Sequence, residues 1–239
     1  SKELLSVTEP EVDDAIELLV YSKEIERIFI ENEEFLAPND IFGYENYISN
    51  RLKVELSLSK KEKPVIEAEI KNAQGKLGIE LEELQKEAVF AAVNNGIFIL
   101  TGGPGTGKTT TLNAIIKLFE GRNFEIELAA PTGRAAKRMT ELTGREAKTI
   151  HRLLEVEWSD GEKRQFSRNE RNPLNCDVII VDEASMIDAL LFDDLLKALR
   201  LSCRIILVGD SDQLPSIGAG NVLGDILAAD AFPSIRLQK

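Results

Sequence analysis

An α/β fold, a parallel sheet with flanking helices preceded by a small α+β unit, is what this sequence of 239 residues predicts. Three observations predict it. Four short, nearly apolar runs begin near residues 96, 125, 177 and 203 and alternate with stretches of helical periodicity, the pattern of strands and crossover helices. A glycine-rich segment, TGGPGTGKTT at 101–110, joins the first run to a helical stretch. Before about residue 80 the rhythm is different, with helices around one pair of apolar arms. The expected organisation is therefore a small N-terminal accessory domain over 1–80, winged-helix-like with a linker helix, and an α/β domain over 81–239.

The elements follow in order. Val12, Ala15, Ile16, Leu19 and Val20 recur at helical spacing over 9–22, and Thr8 or Glu9 before Pro10 is an entry signal. The segment RIFIENEEFLAP, Arg27 to Pro38, alternates around an Asn-Glu turn and reads as a β-hairpin, with a helix expected from about Asp40 to Ser59. Helix, hairpin and helix in that order are what make the unit winged-helix-like. Beyond Leu81, strands are expected near 96–101, 125–130, 177–182 and 203–208, and helices near 81–94, 107–119, 132–142 and 188–199. Residues 153–167 break the alternation: Leu154, Val156 and Trp158 share a face and Asp160-Gly161 supplies a turn, so an inserted β-hairpin is predicted. Trp158 either stacks on a base or packs on its own hairpin.

The glycine-rich segment is the strongest chemical signal. Gly102, Gly103, Pro104, Gly105, Thr106 and Gly107 form a loop between a strand and a helix, followed by Lys108, Thr109 and Thr110. Glycines let backbone N–H groups converge on an anionic phosphate, and the helix start adds its partial positive charge. Lys108 is placed to reach the β- and γ-phosphates of ATP, and the Thr109 hydroxyl to ligate Mg²⁺. The alternative is a glycine turn that binds nothing. In VIIVDEAS, Val178 to Ser185, four apolar residues read as a strand buried on both faces whose end delivers Asp182 and Glu183. Asp182 is the candidate Mg²⁺ carboxylate and Glu183 the candidate base for an attacking water; read alone, the pair is equally a solvated acidic turn. A third strand ends in GDSDQLPSIGAG, where Gln213 offers a neutral amide to the γ-phosphate or the water, unless the segment is an ordinary loop.

Charge argues both ways. The net charge is −12, but residues 1–80 hold 10 basic and 18 acidic residues, so the acidity is concentrated away from these motifs. Between Thr132 and Arg152 the balance reverses: Arg134, Lys137, Arg138, Arg145, Lys148 and Arg152 face only Glu141 and Glu146. That cluster is a candidate footprint for a nucleic-acid backbone, with a solvated helix face as the alternative. Thr132, Gly133 and Arg134 follow a predicted strand, where N–H groups and a hydroxyl are placed to hold a phosphate. His151 is the single histidine, beside Arg152, and reads as a structural side chain or a nucleic-acid contact. Hydrophobic content of 43% supplies a core, and no apolar run approaches the about 18 residues a membrane span needs, so no membrane role is expected. Cys176 and Cys203 flank predicted strands and read as reduced core residues of a cytoplasmic protein, without a metal site.

These segments, with APTGRAAKRMTEL at 130–142 and TIHRLL at 149–154, resemble superfamily 1 DNA helicases of the RecD/TraA type, the group that includes the α subunit of exodeoxyribonuclease V. The resemblance runs from about Leu81 to the end. It implies a RecA-like P-loop NTPase domain, ATP-driven 5′ to 3′ movement on single-stranded DNA, and a part in DNA recombination and repair, in some relatives with nuclease and helicase partner subunits. It also implies that Gln85 reads the adenine edge; from the residues alone, Gln85 is an amide on an amphipathic helix. By the same resemblance the inserted hairpin stands where the strand-separating pin does. The chain then reads as the first part of a motor, with the second RecA-like domain and the arginine finger outside it. As an isolated, monomeric piece it is expected to bind nucleotide weakly, hydrolyse it poorly and unwind nothing. No nuclease-like cluster of carboxylates remains. An AAA+-like nucleotide-gated switch or loader and an RNA helicase are the rival readings; a switch would favour a small polar sensor where the Gln213 loop stands, and backbone contacts say little about the sugar.

Overall fold

The structure, a computed structural model, describes residues 8–57, 67–158, 164–210 and 212–238. Its centre is a six-stranded, wholly parallel sheet in the order β10-β3-β9-β8-β4-β5. The strands are β3 (Ile97–Gly102), β4 (Ile126–Ala130), β5 (Ala147–Thr149), β8 (Val178–Val181), β9 (Arg204–Gly209) and β10 (Ser234–Leu237). The interior strands are buried on both faces, which is why they read as continuous apolar runs. Their side chains alternate between two cores: Ile97, Ile99, Ile179, Val181, Ile205 and Leu207 enter one, and Phe98, Leu100, Val178, Ile180, Ile206 and Val208 the other.

Helices close both faces. The first core takes Ile48 and Leu52 of α2 (Asn39–Ser57), Ile150 and Leu153 of the short α7 (Ile150–Leu153), Phe192, Leu195 and Leu196 of α8 (Ala189–Lys197), and Leu223 and Ile226 of α9 (Val222–Ala228). The second takes Ile70 of α3 (Glu67–Leu77), Ala88 and Val89 of α4 (Glu83–Asn94), and Ile115 and Phe119 of α5 (Lys108–Gly121). Between β4 and β5 lies α6 (Gly133–Thr143), started by the Thr132 hydroxyl accepting from Ala135 N–H at 3.2 Å and ended by Gly144 in the left-handed conformation, φ 69°.

The interior strands and the helices between them fall within two residues of their expected bounds. The edge strands β5 and β10 and helix α9 were not expected. AKT and SIRL are too short and too charged to stand out, and edge position removes the need for a continuous apolar run. The predicted insertion is present as β6 (Val156–Trp158) paired antiparallel with β7 (Arg164–Phe166); the Asp160-Gly161 turn and the side chain of Trp158 lie outside what is described.

The N-terminal segment has the expected helix–hairpin–helix order: α1 (Glu9–Tyr21), β1 (Ile25–Ile30) paired with β2 (Glu33–Pro38), then α2. Thr8 and Glu11 form a capping box, with Thr8 N–H donating to Glu11 Oε2 at 2.7 Å. The hairpin turn is a correction. It falls on Glu31 and Asn32, φ 51° and 68°, one residue before the expected Asn-Glu pair, because Ile30 pairs with Glu33 and leaves these two residues to take the positive φ values of a type I′ loop. Helix α2 is tied to the turn that follows α8 by Arg51, which donates to the carbonyls of Leu199 and Arg200 at 3.2 and 3.0 Å and pairs with the buried Glu55 at 3.0 Å. Cys176 and Cys203 are buried free thiols 3.6 Å apart at the starts of β8 and β9. Among the described residues no helix is long and apolar enough to cross a membrane.

Candidate nucleotide site

All six strands point the same way, so their C-terminal ends share one edge of the sheet, and the chain reverses its strand order beside β3. Open α/β sheets bind ligands at such a point. The loop 103–107 leaves β3 there and enters α5. Gly102, Gly105 and Gly107 have φ of 151°, 77° and 88°, values an L side chain rarely adopts. At Gly102 the space is also closed: a Cβ would lie 2.8 Å from the Leu237 carbonyl and 2.7 Å from Thr106 Oγ1. The loop holds its own shape, with the Thr106 hydroxyl donating to the Gly103 carbonyl at 2.9 Å and the Thr111 hydroxyl to the Gly107 carbonyl at 3.0 Å. Lys108 folds over it, its Nζ donating to the carbonyls of Gly102 and, at 2.9 Å, Gly103. The first N–H groups of α5 have no partner within the helix and open toward the loop.

Strand β8 delivers Asp182 to the same edge, its N–H donating to the Ala129 carbonyl at 3.0 Å. The next residue, Glu183, stands in the left-handed region, φ 55° and ψ 38°, and its N–H donates to Asp182 Oδ1 at 2.9 Å. A glutamate in that conformation carries some backbone strain, as an L side chain does wherever φ is positive. Burial pushes the Asp182 carboxyl above its ordinary acidity range; the Glu183 N–H and the positive charges of Lys108 and Arg138 pull the other way. From β9, the buried Asp210 accepts from Asp212 N–H at 3.1 Å through its side chain and from Gln213 N–H at 3.2 Å through its carbonyl, fixing the turn that carries Gln213.

The outcome is one pocket of about 130 Å³ lined by Lys108, Thr109, Asp182, Glu183 and Gln213, residues from three separate strand ends. Two further lining residues, Arg138 and Asp210, were not singled out for this site by sequence reasoning. Asp210 carried a usable signal, a carboxylate directly after an apolar strand. Gln85 stands apart from the pocket lining: its Oε1 caps α4 by accepting from Glu82 N–H at 3.0 Å, and its amide nitrogen fills the space a side chain at Gly107 would need. Pro104 lines the pocket as well, while Gly103 and Thr110 stay within the loop and first helical turn.

The basic segment is more neutralised than its sequence suggests. Lys137 approaches Glu141 at 4.0 Å, Arg145 pairs with Glu120 at 2.7 Å, Lys148 approaches Glu127 at 3.9 Å and Arg152 approaches Glu146 at 3.8 Å. Thr132 spends its hydroxyl on the cap of α6, beside the exposed Gly133 and Arg134. His151 lies half-buried with its ring 5.9 Å from that of Phe166, at the end of β5, two strands from β8.

The donor set suits a hard cation. Thr109 and Asp182 offer a hydroxyl and a carboxylate, and among the described residues no cluster of three or more His, Cys, Asp or Glu could hold a metal by itself. Mg²⁺ is held in this way elsewhere, by one or two protein oxygens completed by substrate phosphates and water.

A parallel sheet, a glycine loop with a lysine folded over it at the switch point and an acidic pair at the end of a strand two places away define a P-loop NTPase domain of the RecA-like kind. The chain belongs to the AAA domain family, whose profile matches residues 85–219. It is 43% identical over 157 residues to the ATP-dependent RecD2 DNA helicase of Deinococcus radiodurans, covering 66% of this chain and 21% of that protein. It is 41% identical over 168 residues to the RecBCD enzyme subunit RecD of Mycolicibacterium smegmatis, covering 61% of this chain and 30% of that one. The chain therefore spans less than a third of the length of these relatives, and the RecD-type likeness read from the motifs is borne out. Among solved structures, the Pif1 helicase from Candida albicans superposes with a TM-score of 0.52 at 23% identity, over 67% of this chain and 40% of that one, a likeness of fold.

Proposed function

We propose that this chain is the nucleotide-hydrolysing part of an ATP-dependent DNA helicase or translocase that moves 5′ to 3′ on single-stranded DNA, working in DNA recombination and repair. The observation that carries the reading is the meeting of Lys108, Thr109, Asp182, Glu183 and Gln213 in one pocket. The printed names of the relatives, an ATP-dependent DNA helicase and a subunit of RecBCD, support the choice of polymer.

In this reading the loop 102–107 cradles the phosphates with backbone N–H groups, and Lys108 exchanges its loop carbonyls for phosphate oxygens when nucleotide enters. Thr109 and Asp182 hold Mg²⁺, which when bound neutralises charge on the β- and γ-phosphates. Glu183 orients and deprotonates the attacking water, its carboxylate aimed by the left-handed backbone. Gln213 hydrogen-bonds the γ-phosphate or that water and carries the nucleotide state to the exposed loop 212–220. Gln85, between its cap and Gly107, stands where the adenine edge is read. Thr132, Gly133, Arg134, Lys137, His151 and Arg152 line the path of the DNA backbone along the same sheet edge. The sequence pattern divides near residue 80 into an N-terminal accessory part and the first RecA-like domain.

The test is ATP turnover by this chain extended to the full length of its RecD-type relatives, with single-stranded DNA, with RNA and with neither, beside Lys108→Ala. We expect a low basal rate raised several-fold by DNA alone, and a loss of ATP affinity in the variant of about tenfold or more. Equal rates with and without polymer would sink the helicase reading in favour of an AAA+-like switch, and stimulation by RNA alone would move the substrate class.

A further inference from the structure

Six basic residues lie between Thr132 and Arg152, and four of them face a carboxylate: Lys137, Arg145, Lys148 and Arg152. Arg134 and Arg138 form no ion pair with a described residue. Arg138 sits in the middle of α6, and its side chain lines the pocket that holds Lys108, Asp182, Glu183 and Gln213. Leu142, four residues on and on the same helix face, lines it too, so α6 presents a wall to the site rather than a single stray side chain. The guanidinium is close enough for its charge to act on the Asp182 carboxylate.

The charge balance of the pocket gives this arginine a task. Asp182, Glu183 and Asp210 bring three carboxylates, against which stand Lys108 and Arg138. Without Arg138 a single amine would face three carboxylates and an incoming polyanion. A guanidinium offers a planar fork matched to phosphate oxygens and keeps its charge at any working pH. It shares the pocket with Glu183 and Gln213, the residues placed around the terminal phosphate and the water.

We propose that Arg138 contacts the terminal phosphate of a bound nucleoside triphosphate, supplying a second cation beside Lys108 from within the same domain. The inference rests on the nucleotide reading of this pocket. It makes Arg138 a residue that distinguishes triphosphate from diphosphate, where Lys108 serves both.

Calorimetric titration of this chain with Mg²⁺ and either AMPPNP or ADP tests it, using the wild type, Arg138→Ala, Arg138→Lys and Lys108→Ala. Arg138 is exposed on its helix, so its truncation leaves the fold intact, which circular dichroism checks. Arg138→Ala is expected to weaken AMPPNP about tenfold or more and ADP less than about threefold, with Arg138→Lys between wild type and alanine. Lys108→Ala is expected to weaken both. Equal losses for the two nucleotides in Arg138→Ala, or no loss, overturn the role of Arg138 while leaving the site intact. A wild type that binds neither nucleotide overturns the site reading itself.

Discussion

Strands β1 and β3 are each six residues long with four large apolar side chains, yet all six residues of β3 are buried and none of β1 is. Phe98 is 1% exposed and Phe29 is 67% exposed. Composition is therefore not what buries a strand. β3 lies inside a six-stranded sheet with helices on both faces, whereas β1 has a single partner, β2, whose own residues are largely exposed. A lone two-stranded ribbon is marginal in water. This one is supported by α1, by the start of α2 and by Arg27, which pairs with Glu17 and Glu34 at 2.7 Å each. Ion pairs as exposed as these contribute little. Burial is concentrated in the six-stranded sheet, and the N-terminal hairpin rests on α1 and α2.

The sharpest way to break this contrast is a matched pair of truncations. Phe192, fully buried between α8 and the sheet, should cost about 3–5 kcal/mol when changed to alanine, and Phe29→Ala no more than about 0.5 kcal/mol, both read by urea unfolding. A comparable loss at Phe29 would mean that the hairpin is covered in solution by something else.

The same division governs what the sequence revealed. The interior strands were legible because burial on both faces forces unbroken apolar runs such as IFIL and VIIV, and the phosphate loop because its glycines and lysine are contiguous. The edge strands were not, since AKT and SIRL need satisfy only one neighbour. At the site, Lys108, Asp182 and Glu183 were found by their place after strands. Arg138 was counted with a basic cluster, because only the crossover from β4 to β5 shows which face of α6 meets the pocket. The strain at Glu183 had no sequence signal at all. The one-residue shift of the hairpin turn shows the same limit: apolar alternation marks the arms, while backbone sign selects the turn.

Glu183 gives a test of intermediate size at the edge of the rigid region. Its φ of 55° disfavours any residue with a Cβ, so Glu183→Gly should be more stable than Glu183→Ala by about 1 kcal/mol in thermal unfolding. Both should lower ATP turnover by about 100-fold or more if the carboxylate is the base. Equal stability of the two variants would mean that the left-handed backbone relaxes once the side chain is gone, and that the sheet edge is softer than its interior.

The smallest effect lies where the N-terminal part meets the sheet domain. Tyr47 on α2 packs against the first core, and its hydroxyl donates to Glu170 Oε1 at 3.1 Å. Burial, followed by the hydrogen bond to Glu170 and its charge, pushes the phenol up to about 12, from about 10 in an unfolded chain. A raised acid is favoured in its neutral form by folding. Its contribution to stability is therefore complete below about pH 10 and is lost as pH rises toward 12. Glu170→Gln removes the negative charge but leaves burial, so the ultraviolet titration of Tyr47 should move down only part of the way, with a slight gain in stability between the two values. A full return to the ordinary range would show that the carboxylate, and not the cover provided by the core, governs this contact, and that α2 lies less firmly on the sheet than its buried Leu52 and Arg51 require.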